Sequence, residues 1–132
     1  MTAIEKSLSE IETDDLEELV ELNVQEGKGI EYKEYLDLSD DENDHKAKFV
    51  DEVTSFANDQ GGDLLVGVPD DDGAPKGAGG FPLEKSADDT INKWQSVIRR
   101  HTDPTLPAAA FDIRAISTED NRAVIIVRVE RS

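Results

Sequence analysis

Four residues carry the groups from which a reaction on a phosphate ester would be built: Glu26, Glu31, Lys33 and Asp70. In Gly29-Ile30-Glu31-Tyr32-Lys33, the two-residue period of an extended chain puts Glu31 and Lys33 on one face and Tyr32 on the other. Glu26 lies five residues before Glu31, and Asp70 follows the apolar run Leu64-Leu65-Val66-Gly67-Val68 at its carboxyl end. Two carboxylates at about 5 Å in an effective dielectric near 20 repel by about 3 kcal/mol, so such a set calls for Mg²⁺, Mn²⁺ or a nearby lysine. Hard divalent cations take oxygen ligands and polarise phosphodiesters. If the strands carrying Glu31 and Asp70 are neighbours, the acids converge on one solvent-facing hollow, with Glu26, Glu31 and Asp70 as metal ligands and Lys33 as charge stabiliser. In so acidic a chain, acids also come close by chance, and Glu-x-Lys alone is a weak signal.

Other chemistries find less support. There is no cysteine, hence no disulfide framework, and two histidines, His45 and His101, are too few for a histidine-built zinc site. Gly77-Ala78-Gly79-Gly80-Phe81-Pro82 is not a dinucleotide fingerprint, and no Gly-Lys-Ser/Thr occurs, so the motifs give ATP no phosphate cradle. Asn58 followed by Gly61-Gly62 reads as a helix end and tight turn rather than a cradle. Arg99 and Arg100 complement the dipole of their own helix or, with Lys93, face phosphates; Lys46 and Lys48 allow the same two readings.

A chain of 132 residues has the length of one domain with a single core. The absence of cysteine fits a reducing, cytoplasmic setting, and the N-terminus shows no basic start leading into an apolar run. The balance of 31 acidic against 14 basic residues, net charge -17, ordinarily argues against nucleic acid. Here the acids are spread over turns and helix faces while the apolar runs stay intact, the pattern expected of a protein adapted to molar salt, where the Debye length is about 3 Å. Net charge then says little about partners.

The elements that must position these residues follow from periodicity. Thr13 reads as the cap of a short helix in which Leu16, Leu19 and Val20 recur at helical spacing, within an acidic N-terminal segment, residues 1–25. A strand is expected from about Gly29 to Leu36, then a charged loop over Asp37–Asp44. From about Glu42, Phe49, Val50, Val53, Phe56 and Ala57 form the stripe of a helix lying on a sheet. Asp63–Val68, apolar on both parities, predicts a central strand, the spine of the fold. Asp70–Gly80 predicts a loop or hairpin leading to a short edge strand, and Asp88–His101 a helix with Ile91, Trp94, Val97 and Ile98 inward. Ala110–Ile116 and Ala123–Val129 predict two antiparallel strands joined by a turn. The expected class is α+β, a mixed sheet with helices packed on it, over residues 26–132.

Glu26-x-x-x-x-Glu31-Tyr32-Lys33, then Phe56-Ala57-Asn58-x-x-Gly61-Gly62 with its apolar strand ending at Asp70, then a terminal Val124-Ile125-Ile126-Val127-Arg128-Val129, resembles the Schlafen AlbA-like domain. The resemblance implies nucleic-acid binding, DNA or RNA, as the front module of archaeal and bacterial transcriptional regulators, a group sometimes labelled ATP-binding. In the related animal ribonucleases, two glutamates five apart and a later aspartate form the cleavage site, and these match Glu26, Glu31 and Asp70. Those relatives pair two such lobes, so a comparable groove here requires a homodimer. Three functions are therefore weighed: a nucleic-acid-binding regulator module, a Mg²⁺- or Mn²⁺-dependent endoribonuclease, and a structural dimerisation or partner-docking domain.

Overall fold

A computed structural model describes residues 5–27, 29–39, 44–102 and 104–131. Helix α1 spans Thr13–Glu21, strand β1 Ile30–Lys33, helix α2 His45–Asn58 and strand β2 Gly62–Val66. A small hairpin follows, β3 Asp70–Asp71 and β4 Ala74–Pro75, then β5 Phe81–Pro82, α3 Ala87–His101, β6 Phe111–Glu119 and β7 Arg122–Val129. The fold is α+β, built on a mixed sheet.

β1 and β2 run parallel, with Glu31 beside Leu64 and Lys33 beside Val66. β7 lies antiparallel to β2 on one side and to β6 on the other, and the short β5 pairs with its first residues. The spine is thus β7, which pairs with three strands, rather than β2, although β2 is buried on both faces as its sequence predicts.

The sheet divides the core into two layers. Leu64, Val66, Ile125, Val127, Phe111 and Ile113 meet Phe49, Val53 and Phe56 of α2 and Trp94, Val97 and Ile98 of α3. On the opposite face, Ile30, Tyr32, Leu65, Val124 and Ile126 are covered by Leu8, Ile11, Leu16 and Leu19 from the N-terminal segment. Polar clamps hold that segment. Arg128 makes paired bonds to the buried Asp63 at 2.8 and 3.0 Å and reaches the Lys6 carbonyl, while Arg114 donates to the Leu8 carbonyl at 2.6 Å. Lys6 also pairs with Asp15 at 2.8 Å, which holds the Asp15 carboxyl below its usual range.

Local departures from expectation have local causes. Glu12, not Thr13, stands at the cap of α1, and Asp15 accepts the Glu12 backbone N–H at 2.8 Å. β1 ends at Lys33 rather than Leu36, because the Lys33 carbonyl accepts both the Gly67 and Val68 N–H groups and the chain bends at Glu34. The start expected near Glu42 for the second helix, and part of the Asp37–Asp44 loop, lie outside the described residues; the helix is described from His45. Asp72 and Gly73 both have positive φ, the two-residue turn that matches strand twist.

The glycine pair after α2 does structural work. The Gly61 N–H reaches back to the Phe56 carbonyl at 2.8 Å with φ +81°, and a Cβ there would sit 2.5 Å from the Val129 carbonyl oxygen. A Cβ on Gly62 would sit 2.6 Å from the Phe56 ring. Only glycine lets α2 turn straight into β2 beneath β7.

Candidate functional site

β1 positions the first candidate set. Its alternation buries Ile30 and Tyr32 under the N-terminal layer and turns Glu31 and Lys33 toward α2. The outer edge of β1 is closed by the chain that precedes it: Glu26 accepts the Tyr32 N–H at 2.9 Å, and the Gly27 N–H bonds the Ile30 carbonyl at 3.1 Å. The Tyr32 hydroxyl donates to the Val24 carbonyl at 2.5 Å, and burial beside Glu26 pushes that phenol up to about 12. Glu26 is therefore fixed against the strand, and its carboxyl is hydrogen-bonded to that of Glu31.

The third acid beside Glu31 comes from α2. Glu52 lies 3.3 Å from the Lys33 ammonium, and Glu31 lies 3.7 Å from it on the same face. Burial, the hydrogen bond to Glu26 and the charges of Glu52 and Glu26 push the Glu31 carboxyl up to about 7, against the opposing pull of Lys33. A carboxyl in that range exchanges a proton in neutral solution, the property required of a general acid or base. No motif in the sequence marks Glu52, which lies among the polar positions of α2. Its signal was position: it is three residues after Phe49 and four before Phe56, at the border of the buried stripe.

Asp70 sits on the hairpin, exposed, and its carboxylate accepts the Gly73 N–H at 3.1 Å. Gly73 in turn accepts the Glu26 N–H at 2.8 Å, so the hairpin and the Glu26 segment are joined through this one glycine. Asp71 pairs with Lys76 at 3.4 Å. The Glu26 and Asp70 carboxylates each accept a backbone N–H, and among the described residues no group of three His, Cys, Asp or Glu is placed to hold a metal ion.

A second feature lies at the carboxyl ends of β1 and β2, where open sheets with parallel strands present ligand sites. A groove of about 1040 Å³ is bounded by the chain after β1, Pro69 after β2, the Gly77–Gly80 strip and the first turns of α3. Leu36, Phe81 and Trp94 line it; Trp94 is tilted against Phe49 and stacked on Phe81, with ring centroids at 5.3 and 6.1 Å. Tyr35, 55 % exposed, stands edge-on to His45, whose Nδ1 accepts the Asp37 N–H. Lys85 and Lys93 reach the same groove, and Arg122 also lines it while donating to the Gly79 and Gly80 carbonyls.

The structure sorts the cations singled out from sequence. Lys93 lines the groove, and Arg100, seven residues on, continues the same flank of α3. Arg99, Arg100 and His101 are exposed in the last turn of α3, where positive charge complements the helix dipole. Lys48 pairs with Asp44 at 3.2 Å, and Lys46 is half-buried near the start of α2. Tyr35, Lys85 and the groove face of Trp94 were missed: the first two lie in irregular chain, and the indole reads simply as core.

Among the described residues, no helix is long and apolar enough to cross a membrane. The family model described as Schlafen, AlbA_2 matches residues 26–132. No curated protein matches the chain at a significant level.

Proposed function

Since the chain belongs to the Schlafen, AlbA_2 family, we propose that it is a nucleic-acid-binding module of a transcriptional regulator, working in the cytoplasm of a halophilic archaeon. The observation that carries this reading is the groove, where an exposed aromatic ring, Tyr35, and a lysine, Lys93, line one concavity. Stacking on a ring and a cation for phosphate are the two contacts a nucleic-acid strand requires. The spread of acid over the surface supports the salt-adapted setting, in which short-range contacts replace long-range attraction.

A second reading, endoribonuclease action at Glu26, Glu31 and Asp70 with Lys33 on the scissile phosphate, is favoured by one arrangement: Glu31 lies 3.7 Å from the Lys33 ammonium beside Glu26, and burial pushes its carboxyl up to about 7. One experiment separates the two. The protein and its Glu31→Gln variant are incubated with tRNA, single-stranded DNA and duplex DNA at molar KCl, with and without Mg²⁺ or Mn²⁺. Saturable binding without cutting supports the module. Cutting lost in Glu31→Gln supports the enzyme, and neither binding nor cutting removes both in favour of a structural docking domain.

A further inference from the structure

The two edges of the sheet are treated differently. The β1 edge is closed by Glu26 and Gly27. The β6 edge is nine residues long and pairs with β7 alone among the described residues. The Glu130 N–H bonds the Ala110 carbonyl, and Asp112 stands opposite Arg128 and Arg114 opposite Ile126. The even-numbered residues of β6 therefore exchange bonds with β7, and Phe111, Ile113 and Ala115 aim their N–H and C=O groups outward. Among the described residues, the bond on this outward row is local: the Ile113 N–H to the carboxylate of Asp112, at 2.9 Å.

We infer that this edge pairs with the same edge of a second copy of the chain, antiparallel about a two-fold axis at Ile113, making one continuous sheet across two protomers. A two-fold interface must be complementary to itself, and β6 is. With Ile113 opposite its own copy, the outward groups of Phe111 meet those of Ala115 in the other protomer, and Asp112 falls opposite Arg114 on both sides of the axis. Asp112 and Arg114 share one face of β6 by strand alternation, so each pair brings opposite charges together in the close, non-hydrogen-bonded register. A two-fold centred instead on Ala115 would set Asp112 against Thr118 and Arg114 against Ile116, with no charge match. The register shift between Ser117 and Glu119 bends the strand and ends the pairing beyond this stretch. In the dimer a partner carbonyl replaces Asp112 as acceptor for the Ile113 N–H, freeing the carboxylate for Arg114.

Sedimentation equilibrium at molar KCl, where the charge of -17 on each chain is screened, tests the interface. A dimer is expected. Asp112→Arg is expected to raise its dissociation constant on the order of tenfold by setting two like-charged pairs across the axis, even though it lowers overall repulsion. Asp120→Arg, the same charge change in the exposed β6–β7 turn, is expected to leave the dimer intact. Ala115→Pro removes an outward N–H without touching the β7 ladder and is expected to give a folded monomer by circular dichroism and mass. A wild-type chain that stays monomeric, or a dimer indifferent to both Asp112→Arg and Ala115→Pro, would overturn the inference.

Discussion

Glu26 and Glu31 are joined carboxyl to carboxyl across the edge of β1, with Glu26 also holding the Tyr32 N–H. Burial, this contact with Glu26 and the charge of Glu52 push the Glu31 carboxyl up to about 7 against an ordinary 4.5. The unfolded chain gives up this proton first as pH rises. The contribution of the pair is therefore fully present below the unfolded value, falls between pH 4.5 and 7, and stays lost above. Glu31→Gln keeps a donor for Glu26 without the charge. The variant is expected to match the wild type near pH 4 and to exceed it by on the order of 1 kcal/mol near pH 8, a figure discounted for partial exposure. Urea titrations at the two pH values check it.

The groove predicts which residues matter for nucleic acid. Tyr35→Ala removes the exposed ring and Lys93→Glu reverses the cation, so each is expected to weaken binding of a single-stranded oligonucleotide on the order of tenfold. Lys48→Glu is expected to change it little, because Lys48 is paired with Asp44. The sole tryptophan, Trp94, lines the groove and gives the readout: quenching of its fluorescence on titration, lost in Tyr35→Ala.

Gly61→Ala is expected to cost about 2–4 kcal/mol, since the added methyl meets a backbone carbonyl and the residue must keep a left-handed φ. Thermal unfolding measures this directly. A change under about 1 kcal/mol would mean that the turn after α2 relaxes freely.

Asp63→Asn leaves the half-buried Arg128 guanidinium without its paired anion and is expected to cost about 2–4 kcal/mol. Because Arg128 also holds the Lys6 carbonyl, hydrogen exchange is expected to quicken over Leu8–Leu19 before it quickens in α3. Uniform acceleration would count against this coupling.

Salt adaptation predicts that stability rises steeply with KCl between dilute buffer and molar concentration, as self-repulsion is screened. Full stability in dilute buffer would dispose of that reading.

The parts of the fold legible in the sequence are those whose burial pattern is periodic. The stripe Phe49, Val53, Phe56 and the stripe Trp94, Val97, Ile98 each form the inner face of a helix, and the all-apolar run from Leu64 is covered on both sides. The strand formers Ile30, Tyr32 and Tyr35 suggest a strand out to Leu36, whereas a pair of long-range bonds to the Lys33 carbonyl ends β1 at Lys33. Glu31 and Lys33 share a face through local alternation, which sequence shows, whereas Glu26 is brought beside them by its bond to the Tyr32 N–H at the strand edge. Glu52 joins them only through packing of α2 on the sheet, and the groove assembles from segments as distant as Tyr35, Phe81 and Lys93. Neither leaves a mark in any short stretch of residues.

The layer formed by Leu8, Ile11, Leu16 and Leu19 bears on how this protein should be cut for the laboratory. A fragment starting at Glu26, where the family likeness begins, would lay bare Ile30, Leu65 and Ile126 as a greasy wall one sheet wide. Such a piece would clump before it revealed anything about binding. The unit to express is the one whose oil is sealed on both sides, and its margin lies upstream of the point at which kinship becomes recognisable.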